Sequence, residues 1–252
     1  MTLMHMEIRM KMTEMEKQIL KYNRLTEPFT RDNYRVYVRK DFIGGWELVN
    51  VTEVDDWAEE LGWRDLHISL QRYSVTEDVT DDSLRFMDLV IELDDAKTMG
   101  EIALEETRKL ISWFTQFSPR PGDLRVWFSG NKGFHIIISG ISLGLFPSSD
   151  IHVITSYIAG KICNEVGITT ADYQMYSKKK TIRLPGSRHT NPYKKTDDGP
   201  VYLYKTELTY EQVMGLDMDG IRYISMEQRP HLYTTTEVDS NGPNQGVASL
   251  IF

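Results

Sequence analysis

Phe86-Met87-Asp88-Leu89-Val90-Ile91-Glu92-Leu93-Asp94 reads as a β-strand with two unlike faces. Successive strand side chains point to opposite sides, so Met87, Leu89, Ile91 and Leu93 share one face and Asp88, Val90, Glu92 and Asp94 the other. The first face asks to be buried and the second to stay polar. Glu92 and Asp94, two residues apart at the strand's C-terminal end, sit roughly 6–7 Å apart at the backbone, near enough for their carboxylates to converge on divalent cations. Asp95 faces the opposite way. An isolated acidic pair of this kind is also what a solvated sheet face carries, so the surrounding chain has to decide.

Downstream, Thr98 with Glu101 predicts a capping box opening a helix that runs to about Phe117, with Ala103, Leu110, Phe114 and Phe117 as its buried stripe. Strands at Leu124–Phe128 and from the Gly130–Gly133 turn through Ser139 follow. Ser148 then caps a second helix, with Ile151, Ile154, Ile158, Ile162 and Val166 at helical spacing up to Gly167. Upstream, the pattern predicts a polar helix over about 10–24, strands at Arg35–Arg39 and Trp46–Val51, a helix at Asp55–Leu61 and an alternating strand at Leu66–Tyr73. Strands at Thr181–Leu184 and Val201–Tyr204 and a short helix at Thr209–Met214 complete an alternating arrangement with mixed sheets. Periodicity fades beyond Gly220, and Asn241-Gly242-Pro243-Asn244-Gln245-Gly246 reads as tail or linker.

A chain of 252 residues fits one compact unit, and no apolar run is long enough to cross a bilayer. The Met-rich start, Met1 to Met15, lacks the uninterrupted apolar core of a signal peptide, so a cytoplasmic setting is expected. The single Cys163 excludes an internal disulfide, and no Cys/His cluster offers four zinc ligands. A net charge of −8 argues against indiscriminate polyanion binding, but charge is unevenly spread. Acids crowd Glu53 to Glu106, whereas Lys178, Lys179, Lys180, Arg183, Arg188, Lys194 and Lys195 gather positive charge.

Two further segments carry chemistry. In Ser129-Gly130-Asn131-Lys132-Gly133-Phe134-His135, the glycines let backbone N–H groups approach an anion, while Ser129, Lys132 and His135 supply a hydroxyl, a charge and an imidazole N–H. It is not a Walker loop. Asp172 then precedes Arg183-Leu184-Pro185-Gly186-Ser187-Arg188-His189, where a Pro-Gly turn would fold Arg183, suited to bidentate phosphate contact, and His189 toward one ligand. Taken singly each segment is also an ordinary turn with scattered charges; together and in order they point to nucleotidyl transfer.

In these segments the chain resembles the catalytic core of the archaeo-eukaryotic primase superfamily, which includes primase-polymerases. Glu92-x-Asp94 is similar to the family's metal-binding acidic pair, Gly133-Phe134-His135 to its small-x-His motif, Asp172 to its third metal-binding aspartate and Arg183–His189 to its Arg-Leu-Pro-Gly-Ser-x-His signature. The likeness spans about residues 30–205. It implies an α+β fold in which an N-terminal α/β lobe packs on an RNA-recognition-like lobe, with the active site in the cleft between them. It implies a catalytic core over 1–220, with an N-terminal extension over about 1–29 and a tail or linker over 221–252.

The resemblance further implies two-metal catalysis, with Mg²⁺ or Mn²⁺ held by Glu92, Asp94 and Asp172 and the incoming NTP or dNTP bound by Ser129, Lys132, His135, Arg183 and His189. The implied partner is a single-stranded DNA template, with a helicase or helical priming domain supplied elsewhere. Glu92 stands where the family more often has Asp. The zinc-element cysteines of many replicative primase small subunits are absent, which points to a plasmid, viral or mobile-element branch. Two alternatives are an end-joining or gap-filling repair polymerase of the same superfamily and a non-catalytic single-strand-binding replication protein.

Overall fold

The computed structural model describes residues 34–40, 45–76, 78–177, 180–227 and 243–250. The helix expected over about 10–24, the extension over 1–29 and Lys178 and Lys179 lie outside these residues. In chain order the first half comprises β1 (Tyr34–Lys40), β2 (Glu47–Asn50), α1 (Val54–Glu60), β3 (Leu66–Ser69), β4 (Arg72–Ser74), β5 (Arg85–Phe86), β6 (Leu89–Asp94) and α2 (Glu101–Phe114). The second comprises β7 (Leu124–Phe128), β8 (Gly133–Ile138), α3 (Ile151–Val166), β9 (Thr181–Arg183), β10 (Lys194–Thr196), β11 (Gly199–Val201), β12 (Thr206–Leu208), α4 (Tyr210–Gly215), α5 (Met218–Ile224) and α6 (Gln245–Ala248).

These strands form a six-stranded sheet ordered β5-β4-β1-β3-β9 with β2 beside β1, a four-stranded sheet ordered β12-β7-β8-β6, and the separate ribbon β10-β11. Every ladder between these strands is antiparallel, so the sheets are not mixed as the alternation of elements suggested. Parallel neighbours need long crossovers, whereas β7 and β8 are joined by the four residues 129–132 alone.

The strand expected at Leu66–Tyr73 is real but interrupted. β3 and β4 lie on the same side of β1, and between them the register slips by two residues. The Ser69 side chain bridges the gap, its Oγ accepting from Tyr37 N (3.0 Å) and donating to Gln71 O (2.8 Å). All four residues of β3 are buried rather than alternating.

In the four-stranded sheet, the face expected to be buried carries Leu89, Ile91 and Leu93 beside Ile138, Ile136 and Phe134 of β8, all at most 2% exposed. α2 packs over β6 and β8, and α3 over β6. α2 is capped differently from the expected Thr98–Glu101 box. Its N-cap is Gly100 (φ 101°), and the Ile102 N–H is taken by Asp95 Oδ2 and Thr98 Oγ1 (3.1 Å each). Asp95 also accepts from Lys97 N and Thr98 N, which accounts for this carboxylate as the organiser of a turn. α3 ends at Gly167 (φ 76°) as expected, but Ile154 is 40% exposed and Thr155, Ala159 and Cys163 complete the buried stripe in its place.

One run of chain links the four-stranded sheet to the turn that follows β9. Residues 203–205 pair with 186–189, through Gly186 N to Lys205 O, Lys205 N to Ser187 O and His189 N to Leu203 O, and residues 206–208 then pair with β7 as β12. A second run, 170–172, pairs with β6 before the chain enters β9 in the other sheet.

Residues 243–250, expected as part of a tail or linker, pack onto the body. Val247 is fully buried, Asn244 Nδ2 donates to Asp123 Oδ2 (2.8 Å), and a Cβ on Gly246 would lie 2.2 Å from Phe117 O. The composition of this segment suits a loop, yet one apolar side chain and one capping asparagine dock it. The boundary at 220 also falls inside α5, whose Met218 and Ile221 are fully buried.

Candidate active site

The face of the four-stranded sheet away from α2 and α3 carries the predicted residues in a row. Glu92 of β6 pairs with His135 of β8, His135 with Trp127 of β7, and Trp127 with Glu207 of β12. On the outer edge of β6, Leu93 bridges Ala171 and Asp172 N donates to Glu92 O (2.9 Å), which sets Asp172 opposite Glu92. Cross-strand pairs project to the same side with Cβ atoms roughly 4.5–5.5 Å apart. Asp172, Glu92 and His135 are therefore neighbours, and Asp94 joins them two residues along the strand.

The hairpin between β7 and β8 is held tightly. Ser129 N donates to Gly133 O (2.9 Å), and Gly133 N to Ser129 Oγ (3.3 Å), so the serine hydroxyl closes its own turn. Gly130 has φ 86° and approaches the backbone of residues 203–205, while a Cβ on Gly133 would lie 2.4 Å from Leu93 O. Lys132 reaches back to Asp94, Nζ to Oδ2 3.4 Å.

His135 lies on the predicted face but is only 3% exposed, with Nε2 3.4 Å from Glu92 Oε1. Burial, then the charge of Lys205, lowers its pKa, so the imidazole is neutral and donates Nε2–H to the carboxylate. Its Nδ1 is buried with no hydrogen-bond partner among the described residues. Burial pushes the Glu92 pKa up, but the His135 hydrogen bond and the charges of Lys180 and Lys205 prevail and hold it below the ordinary glutamate value.

Arg183 and His189 come from the other sheet. Gly186 (φ 75°) makes the expected turn, and Arg183 Nη1 donates to Arg188 O (2.9 Å) and to Asp65 Oδ1 (2.7 Å). Arg183 is thus committed to Asp65 and the turn rather than presented freely to an anion. Burial, then the charge of Arg183, lowers the His189 pKa. Ser187, fully buried, is structural: its Oγ accepts from Leu66 N (2.8 Å).

Three carboxylates supply hard oxygen donors suited to Mg²⁺ or Mn²⁺. Their backbone positions fit such an ion, since all three project from one face at neighbouring positions. Their rotamers do not yet converge: Glu92 faces His135, Asp94 faces Lys132, and Asp172 Oδ1 accepts from Gln174 N (2.8 Å). Among the described residues no three His, Cys, Asp or Glu side chains are gathered closely enough to hold a metal ion.

In fold the chain is similar to a polymerase domain and to a primase. The first is the polymerase domain from Mycobacterium tuberculosis Ligase D in complex with DNA, at 15% identity and a TM-score of 0.46, covering 82% of this chain and 87% of that one. The second is primase RepB', at 12% identity and a TM-score of 0.42, covering 82% of this chain and 62% of that one. No family model and no curated protein matches the chain.

Two residues of the site escaped sequence reasoning. Lys205 is 1% exposed, with Nζ donating to Arg183 O (2.8 Å) and lying 5.6 Å from the Trp127 ring centroid. Burial lowers its pKa well below the ordinary lysine value, opposed by the charge of Glu92. Its position, two residues from Leu203 in an apolar phase, was the available signal. Glu106 is 3% exposed and holds the segment leading into Asp172; its signal was a charge within the Ala103–Leu110 stripe of α2.

The basic cluster divides. Arg188 stacks on Tyr202 with its guanidinium 3.8 Å from the ring centroid, and Lys194 and Lys195 are exposed on the ribbon β10-β11. Tyr193, at the ribbon's base, is 39% exposed and lies 5.6 Å from the Arg222 guanidinium.

Proposed function

We propose that this chain is a nucleotidyltransferase of the archaeo-eukaryotic primase type, copying single-stranded DNA from NTPs or dNTPs. The observation that carries the reading is the register that sets Asp172, Glu92 and His135 side by side with Asp94 on the same face. Glu92, Asp94 and Asp172 would hold Mg²⁺ or Mn²⁺, which when bound supply the positive charge that favours an ionised 3′-hydroxyl and a departing pyrophosphate.

The chain's own groups then have defined tasks. Lys132 leaves Asp94 to meet the triphosphate beside the Gly130–Gly133 turn, and Arg183, by exchanging Asp65 for the phosphate, and His189 approach it from β9 and the turn that follows. Neutral His135 fixes the Glu92 carboxylate through its Nε2–H. Lys205 compensates the negative charge of Glu92 from behind. The template runs past Lys194, Lys195 and Tyr193, where cations and aromatic rings together suit a flexible single strand.

The test is nucleotide incorporation on single-stranded DNA, with and without a primer, beside Asp94→Ala. Products from unprimed template that vanish in a folded Asp94→Ala protein are expected. Extension only from a primer would favour the gap-filling or end-joining alternative. Incorporation by a folded Asp94→Ala protein would overturn the site. One observation favours the non-catalytic reading, namely that each carboxylate already has an internal partner; tight DNA binding with no incorporation under any metal would establish it. The absence of zinc-element cysteines supports a plasmid, viral or mobile-element setting.

A further inference from the structure

We infer that Glu106 is a positioning residue that sets Asp172 against Glu92 and so determines how tightly the carboxylate group takes a divalent cation. This rests on the proposed roles of Glu92, Asp94 and Asp172. Glu106 lies on the apolar stripe of α2, where an aliphatic residue would serve packing alone. Its carboxylate instead makes four hydrogen bonds: Oε1 accepts from Thr169 N (2.8 Å) and Thr169 Oγ1 (2.7 Å), and Oε2 from Thr170 N (2.9 Å) and Thr170 Oγ1 (2.6 Å). Burial alone would raise its pKa, but these four donors prevail and keep it ionised.

The segment so clamped is anchored on either side, by Ile168 N donating to Cys163 O (2.8 Å) before it and by buried Met175 and the Tyr176 hydroxyl donating to Val90 O after it. Between these anchors its place beside β6 rests on few bonds. Two main-chain bonds join it to β6, Asp94 N to Thr170 O (3.0 Å) and Asp172 N to Glu92 O (2.9 Å), around the isolated bridge between Leu93 and Ala171. Glu106 ties both residues preceding Ala171 to a fourteen-residue helix, which converts that short bridge into a fixed distance between Asp172 and Glu92. It touches neither carboxylate, so it acts through the Thr169-Thr170 backbone. Partners that hydrogen-bond a ligand directly are typically worth about 10–100-fold in metal affinity, and Glu106, acting one step further out, belongs at the lower end of that range.

The test is Mn²⁺ binding to the metal-free full-length chain, read from the paramagnetic resonance signal of free Mn²⁺ well below the melting temperature. Wild type, Asp172→Ala, Glu106→Gln and Asp123→Asn are compared. Asp123 is the control, an equally buried carboxylate that accepts from Arg120 N (2.6 Å) and Asn244 Nδ2 and lies outside the proposed site. Glu106→Gln should weaken Mn²⁺ binding about 10-fold, whereas Asp123→Asn should lower only the melting temperature. If Glu106→Gln does not fold, the Thr169→Val, Thr170→Val double variant, which removes two of the four bonds, should weaken Mn²⁺ in the same direction. Weakening by Asp172→Ala but not by the Glu106 or threonine variants overturns the inference and leaves the site reading intact. Unchanged binding in Asp172→Ala overturns both.

Discussion

His67 is 4% exposed, and burial together with the charge of Arg183 holds its pKa at about 4, against an ordinary value of 6.5. The unfolded chain therefore binds a proton that the folded chain refuses between these values, and stability falls as pH drops through the window. A shift of this size corresponds to about 3 kcal/mol of stability lost between pH 6.5 and 4. The depressed carboxylates Asp65, Asp95 and Glu106 add their losses below about pH 4, where the unfolded chain protonates them first. Urea unfolding at a series of pH values should show a shallower slope for His67→Gln than for wild type above pH 4. Equal slopes would mean that His67 titrates normally in the folded protein. No motif in the sequence marks His67 as buried, since strand alternation assigns it a face but not the cover that β9 and Arg183 provide.

At the scale of elements, Gly133 joins the Gly130–Gly133 turn to β8 and admits β6 at close range. A methyl group there would meet the Leu93 carbonyl at 2.4 Å, and the obstacle is backbone rather than a side chain that can rotate. Gly133→Ala should cost about 1–3 kcal/mol and shift Asp94, whose Cα neighbours the same contact. Thermal unfolding measures the first effect, and a melting temperature within a degree of wild type would refute the clash. β6 read clearly from sequence because its apolar face is buried while Glu92 and Asp94 opposite keep some exposure, and period-two alternation reports one-sided burial. β3 is buried on both sides and does not alternate, and its two-residue slip depends on the Ser69 hydroxyl meeting a partner strand thirty residues away. The capping of α2 was misjudged for a related reason: Asp95 and Thr98 together outcompete Glu101 for the free N–H groups, and a pairwise motif cannot see the third residue.

For the whole molecule, the net charge of −8 makes any nucleic-acid contact local. Lys194 and Lys195 are exposed on the ribbon, with Asp197 and Asp198 beyond them at its tip, so the cationic end is the one nearer His189. Replacing both lysines by glutamine should weaken oligothymidine binding and reduce the steepness of the log affinity against log salt plot by about 1–1.5, since each phosphate neutralised on a single strand contributes about 0.7. An unchanged salt slope in a fluorescence anisotropy titration would place the template elsewhere. The acidic pair and the glycine-rich turn were legible because both lie within single runs of sequence. Lys205 and Glu106 were not, because their importance comes from residues 22 and 63 positions away.

The run from Leu203 to Leu208 joins the turn after β9 to the four-stranded sheet, and the 170–172 run beside β6 leads into β9 of the six-stranded one. Two crossings make the framework a truss rather than a hinge, because swinging one sheet over the other would break main-chain bonds at both. On the proposed function, adaptation to a nucleotide would fall to side-chain torsions such as those of Lys132, Asp94 and Asp172. Discrimination between sugars would then come from side-chain positions rather than from a slow closure of one sheet on the other.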